Sequence, residues 1–333
     1  MKLVSDFRQS DFRRAVPFVQ GAVFALVALA SMAPSTEAQS RTEISIEDAS
    51  AAPENLTSTR DGTLFFGSTA TGTIYRALPD KSQAVAWIRA DKVGLTNVLG
   101  VLADEKTNTL WVCDNAPFRR GGTPPAGLPA LRSFDLMTGE PKGTYPASGG
   151  GVCNDVAISA DGAAYVSDTF GGRVLRLKPG DKALQVWASG PELRGVDGLS
   201  FLADGALYVN NFGNGKLLRI PLKADGAAGP AVELQTSIRF TRPDGLRTSG
   251  PKSLLQAEGG GRLTEITVDG DRAEVRVMKE GWSNTAGVTQ IGEVAFVLAE
   301  RRKAVAVPLL PSTTRETTGT PTQKGGVEAP KNP

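Results

Sequence analysis

From residue 41 onward, short apolar runs alternate with turn signals. The stretch Gly151 to Pro179, GVCNDVAISADGAAYVSDTFGGRVLRLKP, shows the scheme. Val156 to Ser159 is one run. Ala164 to Val166 follows an Asp161-Gly162 turn, and Val174 to Leu177 follows Gly171-Gly172. Ala183 to Trp187 comes after Lys178-Pro179-Gly180-Asp181. Runs of this length between such dipeptides predict antiparallel hairpins. One four-stranded sheet of this size is marginal alone.

The chain repeats it. With Leu64 in GTLFFGS as phase marker, the equivalent positions are Leu110, Ala164, Leu207, Leu254 and Ala295, at steps of 46, 54, 43, 47 and 41. This period predicts an all-β, six-bladed β-propeller with four-stranded blades. The sixth unit has no fourth strand of its own. Arg41 to Asp48, RTEISIED, alternates in β fashion and is expected to close the last blade as its outer strand, protecting sheet edges. No stretch after residue 40 shows the helical periodicity of ten or more residues that a two-domain α/β enzyme needs.

The ends read differently. Lys2, Arg8, Arg13 and Arg14 precede an apolar run from Gly21 to Ala33, and Thr36-Glu37-Ala38 offers a small residue for cleavage. Residues 1–38 are expected to be an export signal, residues 39–310 the propeller, and residues 311–333 a disordered tail. An anchoring helix from Ala15 to Ala33 is the competing reading, weakened by Pro17, Gln20 and Gly21. The mature chain is then exported, periplasmic or secreted, without a membrane span, and a monomer.

Composition narrows the chemistry. A net charge of +2 without a basic stripe excludes a nucleic-acid partner. The chain has no histidine, which removes Ser-His-Asp triads and His-ligated zinc. Its two cysteines, Cys113 and Cys153, either pair or stay as buried thiols.

The candidate site comes from the repeat phase. Ten residues before each marker stand Glu54, Gly100, Asn154, Asp197, Asp244 and Thr285, the last with an uncertainty of one or two positions. These positions begin the innermost strand of each unit. Glu54, Asn154, Asp197 and Asp244 are therefore expected to converge on the channel. Three carboxylates and an amide in one place repel unless a cation joins them. All-oxygen ligation favours a hard divalent cation, calcium ahead of magnesium. Asp61-Gly62, Asp161-Gly162 and Asp204-Gly205 are ordinary turns without a site role.

At Pro53-Glu54, Asn154-Asp155, Asp197-Gly198 and Asp244-Gly245 the chain resembles the gluconolactonase family. That family includes senescence marker protein and luciferin-regenerating enzyme, with diisopropylfluorophosphatase and the paraoxonases more distant. The resemblance spans about residues 45–308. It implies a six-bladed propeller with calcium in the channel and hydrolysis of a small-molecule lactone or related ester. It assigns Glu54 and Asn154 as metal ligands and Asp244 as both ligand and catalytic carboxylate. Asp197 departs from the pattern, because relatives usually carry asparagine there. Its extra charge either tightens cation binding or is quenched by a retained proton.

Asn115, Asp168 and Asn211, on loops of the same face, are the expected substrate contacts, with Glu258 at the matching position. The insertion Ala116 to Leu131 either covers the mouth or is a solvated loop. Phe170 and Phe212 are expected to pack between blades rather than wall a pocket. Two other readings stand beside the hydrolase. One is a partner-binding, NHL-like propeller with a structural metal. The other is a strictosidine-synthase-like enzyme, whose chemistry does not need the channel carboxylates.

Overall fold

The computed structural model describes residues 41–117 and 127–309. The expected signal, the tail and residues 118–126 of the insertion lie outside the described residues. Within them the regular secondary structure is nearly all strand, wound into successive antiparallel meanders. The first runs Pro53–Ser58, Leu64–Ser68, Ile74–Ala77, Gln83–Ile88. The second is Asn97–Asp104, Thr109–Asn115, Ala130–Asp135, Pro141–Pro146, and the third is Val156–Ile158, Ala164–Asp168, Arg173–Leu177, Gln185–Ser189. The fourth is Val196–Phe201, Leu207–Asn211, Leu217–Ile220, Val232–Glu233. Pro243–Gly250, Ser253–Glu258, Arg262–Asp269 and Arg272–Glu280 form the fifth. Thr285–Ile291, Val294–Ala299 and Lys303–Pro308 are the last three strands.

The N-terminal strand Glu43–Ile46 pairs antiparallel with Lys303–Pro308 and briefly, in parallel, with Gln83–Ile88. The first and last meanders thus share one eight-stranded sheet. In the fourth meander the outer strand stops at Glu233, and Gln235–Thr236 crosses to pair with Arg272–Glu280.

Burial explains the sequence pattern. Second strands such as LFFGS and AYVSD are buried at every position, because sheets cover both faces. Outer strands such as Gln83–Ile88 alternate toward solvent. The apolar side chains gather between neighbouring meanders. Phe65 and Ile74 of the first meet Val98, Leu110 and Phe134 of the second. Leu255 and Leu263 of the fifth meet Val288 and Val297 of the last meander. Ile44, Leu56 and Phe66 meet Phe296 and Leu298, so the last and first meanders share a core as well. Burying one such side chain contributes about 1.5–3 kcal/mol, so the sheets are stable only together.

The α-helix among the described residues is a single turn, Ala90–Val93, stopped by Gly94 at φ +71°. Among those residues no helix is long and apolar enough to cross a membrane.

Candidate metal centre

Five of the innermost strands slip in their pairing near their N-terminal ends. Pairing of Pro53–Ser58 slips between Pro53 and Asn55, that of Val196–Phe201 between Val196 and Leu199, and that of Pro243–Gly250 between Pro243 and Leu246. Glu54, Asp197 and Asp244 sit in these bulges. A bulge re-aims a side chain that regular pleating would send elsewhere. Here three of them turn a carboxylate toward one point. Each of the three offers an oxygen, and those oxygens lie within 4.8 Å of one another. All three residues are buried, at 1%, 6% and 3% exposure.

Close strand approach makes this convergence possible. A Cβ on Gly198 would collide with the Asp244 carbonyl oxygen, and one on Gly100 with that of Asn154. Only glycine lets the inner strands come this near.

The register also corrects two phase assignments. In the second meander the slip falls between Val98 and Val101, and in the last between Thr285 and Val288. The channel positions there are Leu99 and Ala286, one residue from Gly100 and Thr285. The bulge changes strand spacing, so counting back a fixed ten residues misses by one.

Asn154 lines the same cavity as Asp197. Its Nδ2 donates to Thr169 Oγ1 at 2.7 Å, and that hydroxyl donates to the Val196 carbonyl at 2.7 Å. With its proton committed to Val196, Thr169 can only accept, which fixes the amide and leaves Asn154 Oδ1 as the oxygen available to a cation. The chemistry of the set, three carboxylates and one amide oxygen, fits a hard divalent cation.

The expected substrate contacts lie elsewhere. Asn115 exchanges hydrogen bonds with the Cys153 backbone, both 2.9 Å. Asp168 accepts from the N–H groups of Val152 at 2.9 Å and Gly171 at 2.8 Å, and from Arg173 Nε at 2.7 Å. Asn211 donates to the Arg194 carbonyl at 2.7 Å and accepts from Gly213 N–H at 3.0 Å. Glu258 accepts from Thr241 N–H at 2.6 Å. All four are buried at the end of a second strand. Each ties down the segment that leads into an innermost strand. They position the site instead of lining it.

Cys113 and Cys153 form a disulfide with Cα atoms 5.0 Å apart. It joins the second meander to the residue preceding Asn154.

Sequence reading missed what lies beside the carboxylates. Arg247, 8% exposed, donates to Asp155 through Nη1 at 2.6 Å and Nη2 at 2.9 Å. Nη2 also reaches Asn55 Oδ1 at 3.3 Å, and Asn55 Nδ2 donates to Asp155 at 3.1 Å. Asn55 follows Glu54, Asp155 follows Asn154, and Arg247 lies three residues after Asp244. This knot ties three ligand-bearing segments together. Bidentate pairing fixes both groups in orientation. Its sequence signal is faint: one buried-type position occupied by arginine, with partners 92 and 192 residues away.

A cavity of about 720 Å³ opens onto Asn154 and Asp197. Phe170 and Phe212 line it, contrary to expectation, with Leu99, Val152, Arg194 and Arg242. A smaller cavity of about 180 Å³ shares Phe212 and Arg242 and reaches Asp244, Ala286 and Arg301.

No protein-family model matches this sequence, and no curated protein matches it. Solved structures do. A putative gluconolactonase aligns with TM-score 0.61 at 17% identity, over 81% of this chain and 93% of its own. A gluconolactonase from Xanthomonas campestris aligns with TM-score 0.60 at 18% identity, over 80% and 89%. The chain has their β-propeller fold. Virginiamycin B lyase from Staphylococcus aureus, as a catalytically inactive histidine-to-alanine variant with quinupristin, shares it at TM-score 0.56 and 15% identity, over 80% and 98%.

Proposed function

We propose that this chain is an exported, calcium-dependent hydrolase of a lactone or related ester, built on a six-bladed propeller that Glu43–Ile46 closes. The observation that carries the proposal is the convergence of Glu54, Asp197 and Asp244, from three different meanders, on one buried point. Arg301 shares the smaller cavity with Asp244. One guanidinium against three carboxylates leaves a net charge of minus two, which a single divalent cation balances.

Glu54, Asn154, Asp197 and Asp244 would hold that cation. When bound, it supplies Lewis-acid stabilisation of a carbonyl oxygen that gains charge. The chain's own residues do the rest. Asp244 attacks the acyl carbon or takes the proton of an attacking water. Without any histidine in the chain, a carboxylate is the suitable base at neutral pH. Thr169 holds the Asn154 amide in its ligand orientation, and Phe170 and Phe212 keep water from the walls.

The lyase reading is disfavoured. The Staphylococcus aureus lyase variant that lost a histidine is inactive, and this chain has none to offer. The disulfide supports an oxidising destination, where such bonds persist.

Calcium titration of chelator-stripped protein by calorimetry tests the reading, with Asp244→Ala as control. A saturable site that the variant lacks, together with chelator-sensitive hydrolysis of lactones or esters, is the expected result. A folded wild-type protein that binds no calcium overturns it in favour of a partner-binding propeller.

A further inference from the structure

We infer that the substrate is an apolar-bodied lactone or ester bearing an anionic group, a carboxylate or a phosphoryl, and not a polyhydroxylated sugar lactone. This deepens the hydrolase reading and rests on it only for where the reacting bond lies.

The inference comes from what the larger cavity offers. Leu99, Val152, Phe170 and Phe212 supply its apolar walls. Asn154 and Asp197 belong to the candidate metal centre. Thr169 has its hydroxyl engaged with Asn154 and Val196. Among the described residues the polar side chains left for a bound molecule are Arg194 and Arg242, the latter also donating through Nη2 to the Gly259 carbonyl. Both are cations and donors only.

A sugar lactone presents hydroxyls around its ring, and each must donate as well as accept. Burying such a hydroxyl without an acceptor costs about 1–3 kcal/mol. Among the described residues this wall offers, outside the metal centre, one side-chain acceptor, the remaining lone pair of Thr169 Oγ1, too few for a ring of hydroxyls. It suits instead a molecule whose body is apolar and whose far end only accepts.

Charge points the same way. Three carboxylates and one divalent cation sum to minus one, and Arg301 beside Asp244 brings the floor to zero. Arg194 and Arg242 then leave the cavity net positive. Among the described residues neither makes a salt bridge. Arg242 adopts φ +52°, a conformation uncommon for non-glycine residues, at the entrance to the segment carrying Asp244. It lines both the larger cavity and the smaller one that reaches Asp244.

The test uses inert ligands on the calcium-loaded full chain, so that binding is read apart from turnover. The probes are 4-phenylbutyrate, its neutral amide, and gluconate, compared by calorimetry. We expect the carboxylate to bind about tenfold or more tighter than the amide, as charge-assisted bonds exceed neutral ones, and gluconate to bind weaker than both. Arg194→Gln, an exposed position without a side-chain hydrogen bond of its own among the described residues, should cut that preference, and Arg194→Gln with Arg242→Gln should abolish it by weakening the acid far more than the amide. Equal binding of acid and amide overturns the inference. So does tightest binding of gluconate, absence of binding by every probe, or a preference that survives in the double variant, which would assign the carboxylate to the metal alone. If 4-phenylbutyrate binds as expected but no ester is hydrolysed, the hydrolase reading fails and the ligand class stands.

Discussion

Two buried charged clusters lie side by side in the channel, on the same strands, and they are built on opposite principles. In one, Arg247 faces Asp155 with bidentate geometry, and Asn55 completes the set. Its charges sum to zero. In the other, Glu54, Asp197 and Asp244 gather three like charges within 4.8 Å. Like charges at that distance in a buried site cost several kcal/mol, against far less in water. A fold that can supply a matched arginine three residues after Asp244 has the means to neutralise its carboxylates internally. At the second cluster it collects them instead. We propose that the first cluster is structural and the second a receptacle for a cation. Substitutions at the two should therefore differ in sign, and that difference is what experiments can break.

The largest effect is expected at the knot. Arg247→Met leaves the Asp155 carboxylate buried with its charge uncompensated, a change that costs about 3–5 kcal/mol. Urea unfolding in chelator measures it without a contribution from bound metal. Adding Asp155→Asn to Arg247→Met should recover most of the loss, because the charge is then gone. A double variant as unstable as the single would mean that packing, not charge, holds this end of the channel. Because the knot ties segments bearing Glu54, Asn154 and Asp244, calcium affinity should fall in the single variant too.

Next comes the disulfide. Replacing both Cys113 and Cys153 by serine opens a link across a sequence separation of 40 residues. The expected loss is about 2–4 kcal/mol, and a reductant added to the wild-type protein should reproduce it in the same unfolding assay. The bond also pins the residue before Asn154. Calcium affinity should drop while the Arg247–Asp155 pair continues to protect its end from hydrogen exchange. Equal loosening of both ends would erase the distinction between them.

The same contrast explains what could be read from the chain. The strands were legible because alternation and turn dipeptides are local signals. The repeat phase then put Glu54, Asn154, Asp197 and Asp244 at equivalent places in their meanders, and the structure brings the three carboxylates to one point with Asn154 on the cavity that Asp197 lines. The bulges were not legible from strand pattern, and they displaced the count to Leu99 and Ala286. A signal existed: glycine follows the channel position in Leu99-Gly100, Asp197-Gly198, Asp244-Gly245 and Ala286-Gly287. Aligning those glycines, which the close strand approach requires, gives the right register. Arg247 was harder. Its partners come from two other meanders, 92 and 192 residues away, and nothing near it in sequence marks it as a buried cation. Asn115, Asp168 and Asn211 read as recognition groups from polarity alone, and the structure adds that each is buried and hydrogen-bonded to the segment leading into an innermost strand.

The smallest energy is the most informative. Asp197→Asn removes one of the three clustered charges and keeps the shape of the side chain. In chelator, less repulsion remains, and the variant should be more stable than wild type by about 1 kcal/mol, at the scale of one modest buried electrostatic change. In calcium, the variant has lost an ionic ligand, and its affinity should fall about tenfold, equivalent to about 1.4 kcal/mol. The two melting curves should therefore cross: variant above wild type without metal, wild type above variant with it. Melting of both proteins across a calcium series reads this directly. A variant less stable under both conditions would show that Asp197 holds the fold through its charge, as Asp155 does. The acidic cluster would then be a second structural knot, and the reason to place a cation there would be gone.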